Sequence, residues 1–434
     1  MPSLPVFVKG SAISEPLALF YYMQKGGLGF EIIVIYLPSL SYDYLNRLFG
    51  RIAMLIYTVK PGDTVDSIAA AYGIPVSTIV YLNQIPYPYR LAIGEALLLP
   101  TPAGISSPRS SIYAGGYAYP FISPWVLRET LPYLSYLYIF SYGFTMEGEL
   151  IGPLLDDAWM IDTARAFGTA PILTLTPFGP DGRFNNSLIS QVVNDLDARR
   201  RLKDAIVEQI TTRGFQGLDI DFEYILANDR DAFVDFVAYM QEAVSALGYP
   251  TSVALAPKTS DTQTGLLYEG KDYRRLGETA DYVLLMTYEW GYTYGPPMAV
   301  APLNKVREVV EYAVTVIPPS KIHLGIPNYG YDWTLPFVRG TSRARTIGNV
   351  EAVQLAISRG AAIQFDDIAQ SPFFRYWSNG TEHEVWFEDV RSLNRKFDLV
   401  EEFGLRGVSY WQIMQLFRAN WLLLADRFNL THQL

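Results

Sequence analysis

Two kinds of hydrophobic pattern alternate along most of this chain. Short, nearly continuous apolar runs suit strands buried on both faces. Stretches with apolar residues three and four apart suit helices lying against such a sheet. The strand-like runs are Tyr113–Tyr119, Leu134–Tyr142, Ala170–Thr176, Gly217–Glu223, Thr251–Ala256, Tyr282–Tyr288, Ile322–Pro327 and Gly407–Trp411. Helical spacing fills several of the intervals, as at Leu196–Thr212, Asp231–Leu247 and Leu303–Val316. Eight such units in about 320 residues predict an α/β fold, a (β/α)8 TIM barrel larger than the ~250-residue norm. Between strands seven and eight lie roughly 80 residues, Asn328 to Arg406, more than one loop and helix need. A small α+β insertion is expected there, at about residues 335–390, beside the mouth of the barrel.

A different pattern fills Tyr57 to Pro100. Tyr57-Thr-Val-Lys reads as a short strand, Pro61-Gly-Asp-Thr as a turn, and Thr64 as an N-cap. Val65, Ile68, Ala69 and Tyr72 keep helical spacing until Gly73, Val76 to Asn83 suggests a second helix, and Ala96 to Leu99 a closing strand. Thr101 to Ser111 is rich in Pro, Ser and Gly and reads as a linker. The chain thus divides into a βααβ module at 55–101, a linker at 102–111 and a barrel at 112–434. Residues 1–53 carry no clear period or motif and stay unassigned. They are read as an upstream extension, with Met54 as the true start, because Gly50-Arg51 can be encoded by a purine-rich ribosome-binding stretch.

Composition narrows the chemistry. Half of the 434 residues are hydrophobic and 31 are tyrosine, enough for a large aromatic core or for stacking against sugar faces. A net charge of −10 argues against nucleic acid. With no cysteine there is no disulfide or thiolate metal site. His323, His383 and His432 are scattered without metal-ligand spacing, so no metal and no cofactor are expected. The longest apolar run near the start, Ile32 to Pro38, is far short of the ~20 residues that span a bilayer. No signal-peptide order of basic, apolar and small residues is visible.

Asp219, Asp221 and Glu223 alternate with Leu218, Ile220 and Phe222. In a strand this period sets three carboxyls on one face and three apolar residues on the other. Converging carboxyls repel, so one of them holds a proton at neutral pH, which is the setting of a general acid. Barrel enzymes keep their chemistry at the C-terminal strand ends, and Glu223 ends strand four. Other strand ends supply Tyr288 and Glu289, Asn328 and Tyr329, and Trp411. Together these give an acid, amide-binding hydroxyls and a flat floor for a pyranose ring.

On these residues the chain resembles glycoside hydrolase family 18, whose strand-four signature is Asp-x-x-Asp-x-Asp-x-Glu. Gln216 stands where the first acid would be, followed in register by Asp219, Asp221 and Glu223. Met286-Thr-Tyr288-Glu289, with Glu for the usual Asp, Leu324 to Gly330, and Trp411 extend the resemblance. It implies a retaining, substrate-assisted mechanism, an exception to the two-carboxylate scheme. Glu223 would protonate the glycosidic oxygen while the substrate's 2-acetamido oxygen attacks the anomeric carbon. Asp221, backed by Asp219, would hold the acetamido N–H, and Tyr288 its carbonyl. Trp411 would stack under the sugar, with Glu289, Tyr329, Asn328 and Met286 completing the substrate-binding set.

The βααβ module resembles a LysM unit. That resemblance implies N-acetylglucosamine binding by loops that include Gly62, Asp63, Thr64 and Ile85. Met286 to Pro302 and Gly407 to Trp421 resemble spore-germination glycosidases of endospore-forming bacteria, the cortical-fragment-lytic N-acetylglucosaminidases. By that resemblance the expected partner is spore-cortex peptidoglycan, with no nucleic acid and no membrane insertion. A monomer is expected, made in the mother-cell cytoplasm without a signal peptide and placed on the spore. A chitinase or chito-oligosaccharide hydrolase is the alternative. A non-catalytic spore-coat lectin is a second, against which the intact Glu223 weighs.

Overall fold

The computed structural model describes residues 17–26, 29–38, 52–102 and 109–432. Met1–Gly50 forms a unit by itself. Within it Leu17–Gly26 and Gly29–Pro38 pair antiparallel, from Leu17 opposite Pro38 to Gly26 opposite Gly29. The sequence reading left this stretch unassigned. Runs such as Ile32-Ile-Val-Ile-Tyr36 are rich in β-branched and aromatic residues but lack the polar alternation that marks a half-exposed strand.

The βααβ module is present as two strands, Ile52–Thr58 and Ala96–Pro102, around helices Val65–Tyr72 and Val76–Leu82. Its first strand starts two residues before Met54, with Ile52 opposite Pro102, so the paired strands overrun the expected 55–101 by a few residues. Thr64 accepts from Ser67 N at 3.0 Å in a reciprocal capping box, and Gly73 closes the helix in the left-handed region. A small core of Val59, Val65, Ile68, Ile79, Leu97 and Leu99 holds the unit together. The middle of the expected linker, 103–108, lies outside the described residues.

The barrel strands are Ser111–Ala118, Tyr136–Phe144, Ala170–Leu175, Leu218–Ile220, Thr251–Leu255, Tyr282–Leu285, Ile322–Pro327 and Gly407–Trp411. All eight are parallel, and strand one pairs with both strand two and strand eight, closing the sheet. Part of the tyrosine surplus goes inside the barrel. Tyr117, Tyr136, Tyr138 and Tyr282 are buried in one cluster with Phe140 and Ile172. Each such ring contributes on the order of 1.5–3 kcal/mol of burial. The Arg406 guanidinium lies 4.1 Å from the Tyr113 ring and donates to Tyr136 Oη at 3.2 Å. His323, stacked at 4.8 Å on Tyr282, is fully buried, and burial followed by the Arg406 charge holds its pKa well below the usual imidazole range. It is a neutral core histidine.

Between strands seven and eight stands a five-stranded antiparallel sheet. Its strands, in spatial order, are Arg345–Ile347, Gly330–Thr334, Thr381–Trp386, Ser371–Ser378 and Gln364–Asp366. Helix Asn349–Arg359 belongs to the same segment, and Ala352 and Ala356 pack with Phe374, Tyr376 and Val385. Ala92 of the βααβ module joins that apolar cluster. Polar contacts fix the same seam: Ile363 N donates to Ile93 O at 2.8 Å and Arg391 Nη2 to Gly94 O at 3.0 Å. Gln84 and the loop before helix Arg418–Arg427 exchange bonds, Gln84 Nε2 to Leu416 O at 3.2 Å and Arg418 N to Gln84 Oε1 at 2.7 Å.

Candidate active site

Regular pairing of strand four stops at Ile220, short of the expected Glu223, although Asp221 N still donates to Leu175 O at 2.9 Å. The alternation continues past it. Leu218, Ile220 and Phe222 are fully buried, and Phe222 rests against Phe144, Phe233 and Phe236 with ring centres 5.5–5.9 Å away. Packing of that apolar side leaves Asp219, Asp221 and Glu223 on the other.

The three carboxyls sit in unequal surroundings. Asp219 is sealed in the barrel and accepts from Tyr117 Oη at 2.8 Å and Ser252 Oγ at 2.7 Å. Burial pushes its pKa up to about 6, against the pull of those bonds and of Lys271. Asp221, also buried, has an Oδ1 with no hydrogen-bond partner among the described residues. Burial, then the Glu223 charge, then Asp219 drive its pKa well above the usual carboxylate range. Glu223 is half-buried, and desolvation raises its pKa too. Adjacent carboxyls this strongly desolvated hold a proton between them near neutrality.

Beneath them lies a cation that motif reading missed. Lys271 is completely buried, and its ammonium donates to Phe222 O, the carbonyl between Asp221 and Glu223, and to Ala254 O at 2.8 Å. Desolvation lowers its pKa to about 8, while Asp221, Glu223 and Asp219 work in the opposite direction. Lys258, buried beside it, donates to Lys271 O at 3.0 Å. A lysine some fifty residues from the motif carries no signal in the strand pattern.

The remaining expected residues divide. Tyr288 lies half-buried at the end of strand six, and burial followed by the Asp221 and Glu223 charges raises its phenol pKa. Trp411 meets Tyr117, Tyr119 and Phe140 edge-on with ring centres 5.1–6.2 Å apart. Glu289 holds a left-handed backbone, φ 67°, costing on the order of 1 kcal/mol. Its carboxyl accepts from Tyr329 Oη and from Tyr331 Oη at 2.9 Å. Tyr331 was not anticipated. Asn328 gives both amide hydrogens to backbone, to Gln412 O at 3.1 Å and Gln415 O at 2.9 Å, so its NH2 braces the loop after strand eight. Met286 N donates to Leu255 O at 2.9 Å, continuing the ladder of strand six. Gln216, at the foot of strand four, has a buried Oε1 without a hydrogen-bond partner among the described residues.

In the βααβ module, Gly62 takes φ 89°, and Asp63 accepts from Lys60 N and Tyr57 Oη, both at 2.7 Å. Thr64 is the helix cap. The expectation for Ile85 is corrected: its side chain is 4% exposed, in the module's core. A module this small cannot spare an apolar residue from its core. The exposed aromatic groups of that loop are Tyr87 and Tyr89. Among the described residues, no group of three His, Asp or Glu side chains is arranged to hold a metal ion.

Comparison with known proteins matches residues 179–415 to the family described as glycosyl hydrolases family 18 and residues 57–100 to the LysM domain. The chain is 41% identical over 427 residues to the cortical fragment-lytic enzyme of Bacillus subtilis (strain 168), covering 87% of this chain and 98% of that one. It is 35% identical over 374 residues to the putative sporulation-specific glycosylase YdhD of the same organism, covering 86% and 87%. Among solved structures, the Bacillus cereus spore cortex-lytic enzyme SleL superposes with a TM-score of 0.83 at 32% identity, over 88% of this chain and 100% of that one.

Proposed function

The chain belongs to glycosyl hydrolases family 18, and from that premise we propose that it is a retaining N-acetylglucosaminidase of spore-cortex peptidoglycan and its fragments. The observation that carries this reading is Asp221 Oδ1, two residues before Glu223, a buried acceptor without a hydrogen-bond partner among the described residues. An acetamido N–H is the donor such an oxygen lacks, and burying it unpaired costs about 1–3 kcal/mol. Glu223, whose pKa desolvation raises, gives its proton to the glycosidic oxygen. The C–O bond to the leaving sugar breaks as the acetamido oxygen bonds the anomeric carbon. Asp221 takes the charge of the resulting oxazolinium, Tyr288 orients the acetamido carbonyl, and Asp219 fixes Asp221. Water, deprotonated by Glu223, then opens the ring with configuration retained.

Trp411 forms the floor of the sugar site, and Glu289, oriented by Tyr329 and Tyr331, faces the sugar's polar edge. The LysM module retains glycan, and the enzyme works as a monomer at the spore surface. The cortex substrate and the spore location draw support from relatives whose names describe cortex-lytic and sporulation-specific enzymes. The test is mass spectrometry of the muropeptides released from spore cortex by wild type and by Glu223→Gln. Loss of the general acid should reduce release by ~10²–10⁴-fold while cortex binding persists. Release by the variant at the wild-type rate overturns the assignment.

A further inference from the structure

Strands four and five part just before the acid. Ile220 opposite Val253 is the last register pair between them. Which way the backbone faces beyond that point follows from its period of two. Leu218 N donates to Pro250 O, so Phe222, four residues on, also turns its peptide groups toward strand five. Leu255 O accepts from Met286 N of strand six, so Ala254 O, one residue earlier, faces strand four. In a continued ladder Phe222 N would donate to Ala254 O, and Phe222 O would accept from strand five. Lys271 stands in for those rungs. Its ammonium donates to both facing carbonyls, Phe222 O and Ala254 O. The peptide it holds on strand four is the one that joins Phe222 to Glu223.

Lys271 lies at the end of the loop that follows strand five, and that loop is itself tied down. Lys258, fully buried near its start, donates to Lys271 O at 3.0 Å and to Asp261 O at 3.4 Å. Tyr273 Oη donates to Ala256 O and accepts from Lys258 N at 3.1 Å. Arg230, at the start of the helix after strand four, pairs with Asp261 at 3.0 Å and Asp272 at 3.1 Å. Gly270 presses on the backbone just beyond Glu223, where a Cβ would fall 2.3 Å from Ile225 O. Packing alone would be served by an apolar side chain of similar volume, with no charge to bury. Two buried ammonium groups bonded to main-chain carbonyls instead fix backbone that has lost its strand neighbour.

We infer that Lys271 is a positioning residue for the reaction: by bridging the open edges of strands four and five it sets where the chain carries the Asp221 and Glu223 carboxyls, and Lys258 holds it to that task. This rests on the reading of Glu223 as the general acid. Lys271 acts through carboxyl placement in the transition state, so its loss leaves ground-state binding in place. The test is steady-state kinetics of the full chain on a peptide-free tetrasaccharide of alternating N-acetylglucosamine and N-acetylmuramic acid. Lys271→Met should lower kcat on the order of 10–100-fold with KM within about twofold of wild type. The basic limb of its pH–rate profile should move, and Lys271→Arg, which keeps the charge and donors, should stay closer to wild type in both respects. Lys258→Met should also lower kcat alone, and the double Met variant should be no slower than Lys271→Met, because the two lysines act as a unit. A loss that falls on KM, an unmoved limb, or additive losses in the double variant overturn the proposal. Should Lys271→Met not fold, Lys258→Met decides it: an unchanged kcat there overturns it. Glu223→Gln assayed alongside separates the two readings, since wild-type turnover by that variant overturns the catalytic assignment itself.

Discussion

Lys271 puts a positive charge beside three carboxyls whose pKa values burial raises, and it opposes that rise. Removing it in Lys271→Met should raise the acid's pKa further, moving the basic limb of the pH–rate profile up by about 1 unit, whereas Lys271→Arg keeps the limb in place. An unmoved limb in the Met variant assigns Lys271 to packing alone. Asp219 yields a stability prediction of definite sign. Its folded pKa of about 6 exceeds the ordinary 3.8, so between these values the folded state binds more proton than the unfolded. Stability therefore falls as pH rises through that window, by up to about 3 kcal/mol. Asp219→Asn cannot titrate, so relative to wild type it should gain stability from pH 4 to pH 7, as read by urea denaturation at both. The carboxyls were legible because period two is a local property. Tyr117, Ser252 and Lys271 were not, because what they touch is decided by barrel closure. Ile85 was misread because a loop position was taken as a ligand contact when the core needed its side chain.

At the scale of elements, apolar runs located the barrel strands to within a few residues. Their ends were less legible: strand four yields its regular pairing at Ile220, before Asp221 and Glu223. The hairpin at 17–38 escaped because uniform apolarity has no period. One loop element makes a sharp prediction. Gly94 has φ 81°, and a Cβ there would sit 1.9 Å from Ile363 O. Gly94→Ala should thus cost at least ~1 kcal/mol and speed hydrogen exchange at Ile363, whose amide is bonded to Ile93 O. Unaltered exchange there would mean that the seam tolerates the methyl group.

For the whole molecule, counting apolar runs was enough to give the barrel and its oversized seventh connection, since eight strand–helix repeats leave few other topologies. How the modules join was not legible, because hydrogen bonds between distant loops leave no periodic trace. The βααβ module is anchored to the insertion through Ile93 and Gly94 and to the last helix through Gln84 and Met54 N, which donates to Asp426 Oδ2 at 3.1 Å. Arg418 adds a bond to Tyr81 O at 3.0 Å and an ion pair with Glu129 at 3.1 Å. A sugar chain gripped by this module would reach the barrel across one fixed span, not through a cloud whose density falls with tether length. A cross-linked mesh offers that span only where two of its strands happen to match it, while a severed piece can swivel until it fits. Rigid mounting alone would then make the enzyme faster on loosened fragments than on the intact wall.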